Sequence, residues 1–440
     1  MKTQIRILAV GIAYALCAVP CHAETVKTVA IQPEESPQQG YFYRKFNPPV
    51  VSDAAGQHVA FYSSMPGGRR CIFRVDPDAP TAGSTIACEH FPTPDNSRAY
   101  RRLGDPSINA SGDVAFSSQL SFGYTGVFRN GSATIALLGD PVPTPGTGTL
   151  KILTSARVTD LGNIFFLGTI SGGTVDQGIF VCPAGQNCHD VPGTLATVVL
   201  AGDPVPDRVG RKLCSFSALA ASNSAIVFRA ITKPDCSMNS GPLEGIFRKP
   251  SVGPIETIAL MGETSNPSGT TYAAFSGAPA IENGGAVAFL ASAAGSVSTS
   301  AQYVCATGCP PAPADAVVER GQLAPTSPSG TGPILSFTPP GIDGAHDIAF
   351  SARVRDQLRG LSQGVYRRTA AGQIEAIALL DQPAPDPDQY WRYVYYPPAM
   401  SPGGRIAFKA SIITNPAPRK RLGIFATGSP SGAFVDAPEL

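Results

Sequence analysis

Asn109-Ala110-Ser111-Gly112-Asp113-Val114-Ala115-Phe116 contains a tight turn running into the start of a strand. Asn and Ser cap their own backbone, Gly supplies positive φ, and the β-branched, apolar run that follows suits a buried strand. Its closing tripeptide returns as Val59-Ala60-Phe61, Ile164-Phe165-Phe166, Ile226-Val227-Phe228, Val287-Ala288-Phe289, Ile348-Ala349-Phe350 and Ile406-Ala407-Phe408. The seven phenylalanines stand 50 to 62 residues apart, a spacing that signals tandem repeats rather than separate domains.

Each repeat has one grammar. An apolar stretch enters the turn, as at Glu282-Asn283-Gly284-Gly285 or Ser401-Pro402-Gly403-Gly404, and leaves through the Phe strand. A third strand follows, as in Gly126-Val127-Phe128-Arg129 and Gly245-Ile246-Phe247-Arg248, and then a fourth, as in Thr134-Ile135-Ala136-Leu137. Four short strands per repeat make a propeller blade, and seven blades close a ring. The expected fold is an all-β, seven-bladed β-propeller spanning residues 24–426. The seventh repeat lacks its own fourth strand. Val26-Lys27-Thr28-Val29-Ala30-Ile31 matches Ile374-Glu375-Ala376-Ile377-Ala378-Leu379 and is expected to complete it, the tail segment Ala433-Phe434-Val435 being the alternative.

Composition agrees. Among 440 residues there are 46 Gly and 42 Pro, which argues against helical bundles and large α/β cores. At 43% apolar and 15% charged, with no G-X-Y period, the chain is neither disordered nor collagenous.

Lys2 and Arg6 precede an apolar run from Ile7 to Val19 that ends at Cys21-His22-Ala23, the pattern of a signal peptide over residues 1–23. Cys17 and Cys21 follow Leu16 and Pro20, which do not suit a lipid acceptor. The mature chain is expected to be secreted or periplasmic, without membrane insertion, and residues 427–440 form a tail. Its 31 basic and 32 acidic residues offer no overall basic footprint for nucleic acid.

Eight cysteines remain, all placed within single repeats, and in an oxidising compartment they are expected to pair as Cys71 with Cys88, Cys182 with Cys188, Cys214 with Cys236 and Cys305 with Cys309.

The phrases around Pro398-Ala399-Met400-Ser401-Pro402-Gly403-Gly404-Arg405-Ile406-Ala407-Phe408 and Asn109 to Phe116 resemble the repeats of bacterial exported propellers. They are similar to TolB-type WD40-like repeats and, more closely, to an uncharacterised secreted family with tandem Asn-x-x-Gly-x-Val-Ala-Phe units. The resemblance implies the fold and no reaction. The chain has no Trp-Asp dipeptide, its one tryptophan being Trp391.

No nucleophile elbow, phosphate loop, zinc helix or calcium loop is present. No catalytic residue, metal or cofactor is expected. His58 and His346 follow tight turns and read as turn residues. The loops after the fourth strands carry Gly139-Asp140-Pro141, Gly202-Asp203-Pro204, Gly262-Glu263 and Asp381-Gln382-Pro383. Asp140, Asp203, Glu263 and Asp381 are the candidate ligand carboxylates on that face, although Gly-Asp-Pro is also ordinary turn chemistry. Tyr390 and Trp391, in the run Tyr390 to Tyr396, are the candidate aromatic platform, or else fill the ring closure. Arg74, Arg129, Arg248 and Arg367 recur after the third-strand aromatic and read as framework donors on the opposite face. The expected function is a non-enzymatic binding or scaffolding propeller, monomeric, for an envelope protein or glycan. The alternative is an enzyme acting on an extracellular polysaccharide, a lyase or hydrolase.

Overall fold

The computed structural model describes residues 25–428, apart from 35, 38–41, 53–57, 238–240, 266–269, 296–298, 307–308, 310–312, 328–329, 357–359, 387 and 415–418. The expected signal peptide and the alternative closing segment Ala433 to Val435 lie outside the described residues. Seven antiparallel sheets follow one another as the blades of a β-propeller. Blade three shows the pattern plainly: Thr149–Val158 innermost, then Ile164–Ser171, Gln177–Cys182 and Ala196–Leu200.

The repeated phenylalanine is the blade's core. Phe61, Phe116, Phe166, Phe228, Phe350 and Phe408 are fully buried and Phe289 nearly so. Each lies directly opposite an aromatic of the third strand, as Phe116 does Phe128 and Phe289 does Tyr303. All seven pairs have ring centres 5.5 to 5.9 Å apart, within the range of favourable aromatic packing. The Gly-x-Phe pattern of the third strand follows from this. A Cβ on Gly126 would stand 2.7 Å from the Phe128 ring, which folds back over it.

The ring is closed by the N-terminal strand. Val26–Ile31 pairs antiparallel with Lys420–Thr427, from Val26 opposite Thr427 to Ile31 opposite Gly423. In the blades with a continuous fourth strand, the third and fourth strands slip register at the residue before the aromatic, as between Val127 and Phe128. The closing pair slips at the equivalent place, with Ile424 opposite Ala30 and Phe425 opposite Thr28, so Val26–Ile31 is the displaced fourth strand of blade seven.

The eight cysteines stand as four disulfides, each inside one blade, with Cα separations of 4.1 to 5.9 Å. Cys71 and Cys88 are direct cross-strand partners. No helix among the described residues is long and apolar enough to cross a membrane. The bonds fit an extracellular or periplasmic setting.

Turns between first and second strands latch neighbouring blades. Asn109 Oδ1 accepts from Asp113 N at 2.8 Å within its own turn, while its Nδ2 donates to Thr159 O in blade three at 3.0 Å. Arg74 Nη1 donates to Gly112 O and Arg248 Nη1 to Gly285 O, each at 2.7 Å and each into the next blade's turn. His346 takes positive φ, 65°, in the turn of blade six.

Candidate functional site

Strand alternation places the loops between blades and those between second and third strands on one face, and the latched turns on the other. The expected ligand carboxylates are distributed over four inter-blade loops. Asp140 Oδ2 accepts from Leu137 N at 2.7 Å and Oδ1 lies 2.9 Å from His189 Nδ1. Asp203 Oδ2 accepts from Leu200 N at 2.9 Å. Both bonds are local caps of the kind Asp makes in turns. Glu263 pairs with Arg208, and Asp381 Oδ1 lies 3.7 Å from Arg392 Nη1. Every one of the four therefore has an internal partner, and none bonds another among the described residues. No group of three or more His, Cys, Asp or Glu side chains among the described residues is gathered to hold a metal ion.

The run from Tyr390 departs from simple strand alternation, because the register shifts between Trp391 and Tyr393. Trp391 is 3% exposed and packs edge-on against Phe425 at 4.7 Å, inside blade seven. Tyr390 is half-buried, bridged to Pro383 through the backbone. Tyr393 and Tyr396 are exposed, and a bulge between Tyr395 and Ala399, with Tyr396 at φ 64°, turns the strand outward.

Around these tyrosines stands a cluster of cations. Lys409 Nζ lies 5.2 Å from the Tyr395 ring centre and 4.9 Å from that of Tyr396. Lys420 Nζ lies 5.1 Å and the Arg392 guanidinium 5.5 Å from Tyr393. Lys409 is 9% exposed and has no carboxylate within ion-pair distance among the described residues. Burial, helped by Lys45 of blade one, pulls its ammonium below the ordinary lysine range.

The repeats explain why Lys409 is unusual. The residue after the core phenylalanine is Arg229 in blade four and Ser351 in blade six. Arg229 Nε is 3.2 Å from Glu244 Oε1, and its Nη1 donates to Gly277 O of the next blade at 3.2 Å. Ser351 Oγ donates to Tyr396 O at 3.1 Å. The residue before the third-strand glycine is also a clasp: Thr125 donates to Lys151 O, Gln177 to Phe216 O and Gln363 to Val394 O. Blade seven has Leu422 at that position. Lys409 thus lacks the kind of partner that Arg229 and Ser351 find at the same repeat position, and faces blade one across the closure. Arg44, Lys45, Arg101, Arg102 and Lys151 are exposed near the starts of the inner strands of blades one to three.

This cluster was not legible in the sequence, because near-zero net charge hides where the charges gather. The missing signal was the comparison of aligned repeat positions, which sets Leu422 against Gln177, Glu244 and Gln363.

A family described as "Family of unknown function (DUF7453)" matches residues 312–438. No curated protein matches the chain. Among solved structures, the chain is similar to the β-propeller domain of the trilobed protease of Pyrococcus furiosus, at 8% identity and TM-score 0.45, over 86% of this chain and 97% of that one. It is also similar to the polysaccharide lyase Uly1, at 8% identity and TM-score 0.40, over 92% and 97%. A third likeness is to a PL25 ulvan lyase, at 9% identity and TM-score 0.38, over 92% and 96%.

Proposed function

We propose that this chain is a secreted or periplasmic binding propeller, of the exported bacterial kind that its repeats resemble, and that it takes an anionic glycan on the closure between blades seven and one. The observation that carries the reading is Lys409, nine-tenths buried between two tyrosine rings and without a carboxylate partner among the described residues. A framework lysine is normally paired, since an unpaired buried charge costs several kcal/mol at the order-of-magnitude level. An anion arriving from solution supplies the missing partner. Tyr393 and Tyr396 offer exposed ring faces for sugar C–H groups, and Arg392, Lys420 and Lys45 supply further positive charge. Asp381 belongs to the same corner through Arg392 and orients that guanidinium. In this reading the protein acts as a monomer and performs no chemistry.

Titration calorimetry with the exported chain tests it. Dextran sulfate and polyglucuronate bind, neutral dextran does not, and binding weakens as salt rises. Lys409→Met and Tyr393→Ala each weaken binding at least tenfold. Equal binding of neutral dextran, or full affinity in Lys409→Met, overturns the proposal. Release of shortened products from either polymer replaces it with the enzymatic reading.

A further inference from the structure

At the end of the inner strands, on the turn face, residues of all seven blades line an axial cavity of about 530 Å³ that is open to solvent on one side. Its wall is mostly proline and aliphatic side chain, with the Pro48-Pro49, Pro339-Pro340 and Pro397-Pro398 pairs contributed by three blades. Two charged side chains line it, Arg157 and Asp160. Asp160 is satisfied: Oδ1 accepts from Ala110 N at 2.7 Å and Oδ2 from Asn283 Nδ2 at 2.8 Å.

Arg157 is not. Its Nε donates to Leu219 O at 3.0 Å and its Nη1 to Ala156 O at 2.9 Å, which uses two of five N–H donors. Among the described residues no carboxylate lies within ion-pair distance of it. A register shift between Thr154 and Arg157, with Ser155 at φ 55°, places the guanidinium at the cavity wall. Burial pulls Arg157 below the ordinary arginine range, against the more distant charge of Asp105.

We infer that the axial cavity is a binding site for a small apolar monocarboxylate, its body against the proline collar and its carboxylate on the free edge of the Arg157 guanidinium. The size falls within the range of small-molecule sites, where apolar walls supply burial and one or two polar groups fix orientation. The wall's charges favour an anion: Arg157 keeps three N–H donors beyond its two bonds, whereas each oxygen of Asp160 already accepts a hydrogen bond. A planar guanidinium matches a carboxylate through two parallel hydrogen bonds. The proline and aliphatic wall disfavours a heavily hydroxylated ligand, whose groups would lose water without recovering partners. This site is separate from the tyrosine and lysine cluster and does not depend on the glycan reading.

Phenylacetate is a suitable probe, with phenylacetamide as its neutral isostere and glucuronate as a polar acid, titrated into the chain from residue 24 onward. Phenylacetate is expected to bind, with phenylacetamide and glucuronate at least tenfold weaker. Arg157→Gln lowers phenylacetate affinity at least tenfold. Ala278→Trp, at a position exposed to the cavity and away from Arg157, abolishes binding and keeps the inter-blade bond to Leu219. Lys409→Met changes phenylacetate affinity less than twofold. Failure of phenylacetate to bind, equal binding of phenylacetamide, or full affinity in either cavity variant overturns the inference. A Lys409→Met effect as large as that of Arg157→Gln also overturns it, by placing the ligand at the other site.

Discussion

The ammonium of Lys409 stands 4.9 Å from the centre of the Tyr396 ring, on the side of blade seven that faces blade one. The contact offsets part of the cost of burying the charge, since a desolvated cation over an aromatic face gains about 1–2 kcal/mol. It leaves the remaining ammonium hydrogens for a ligand. A residue held for function rather than for folding is expected to cost stability. Lys409→Met should therefore raise the free energy of unfolding by about 1 kcal/mol while removing polyanion binding. Chemical denaturation of the two proteins, with and without dextran sulfate, checks both halves.

Latches between blades should behave in the opposite way. Arg74 Nη1 lies 2.7 Å from Gly112 O, and Gly112 sits at φ 79° with its would-be Cβ 2.6 Å from His58 Cδ2. Arg74→Met is expected to cost about 1–3 kcal/mol through the unsatisfied carbonyl. Gly112→Ala should cost at least as much, from backbone strain plus the clash. Thermal melts of both variants, with polyanion binding retained in the survivors, test the separation of framework from site.

Ring closure rests on a strand of six residues. Val29, Ala30 and Ile31 are 3%, 2% and 0% exposed, and removing them leaves Lys420–Thr427 as an open sheet edge. Ile31→Asp is expected to destabilise by about 4 kcal/mol, from lost apolar burial and a buried unpaired charge. Light scattering and denaturant midpoints should show aggregation and a shifted transition. An unchanged midpoint would mean that another segment closes the ring.

His58 supplies a pH signature. Burial first, then the Arg74 charge, pull its imidazole below the ordinary value, with Asp76 opposing, and Nδ1 is buried without a hydrogen-bond partner. The unfolded chain therefore binds the proton first as pH falls through about 6.5. Stability contributed by neutral His58 is fully present above that pH and is lost as pH falls from there toward the lower folded value. His58→Leu should flatten the stability profile across this window, measured by urea midpoints at pH 5 to 8.

Cys71 and Cys88 close a loop of 17 residues across directly paired strands. Replacing both with Ala should cost about 3 kcal/mol, and polyanion binding should persist at low temperature. Differential scanning calorimetry of the double variant measures the loss.

The repeated Phe, the turn before it and the Gly-x-Phe strand were readable along the chain because each is a local requirement repeated seven times. Fold, closure by Val26–Ile31 and cysteine neighbours all followed from that period. Charge placement did not. Near-zero net charge says nothing about Lys409, Lys420 and Arg392 meeting at one closure, because they come from three different strands and Lys45 from another blade. The acids singled out along the chain, such as Asp140 and Asp203, cap their own turns, a use of Asp that sequence alone cannot separate from ligand binding. Trp391 and Tyr393 are two residues apart yet part company, one to the core and one to solvent, because a register shift between them breaks the strand's alternation. Periodic burial is a property of the chain; which charges face one another is decided when the seventh blade meets the first.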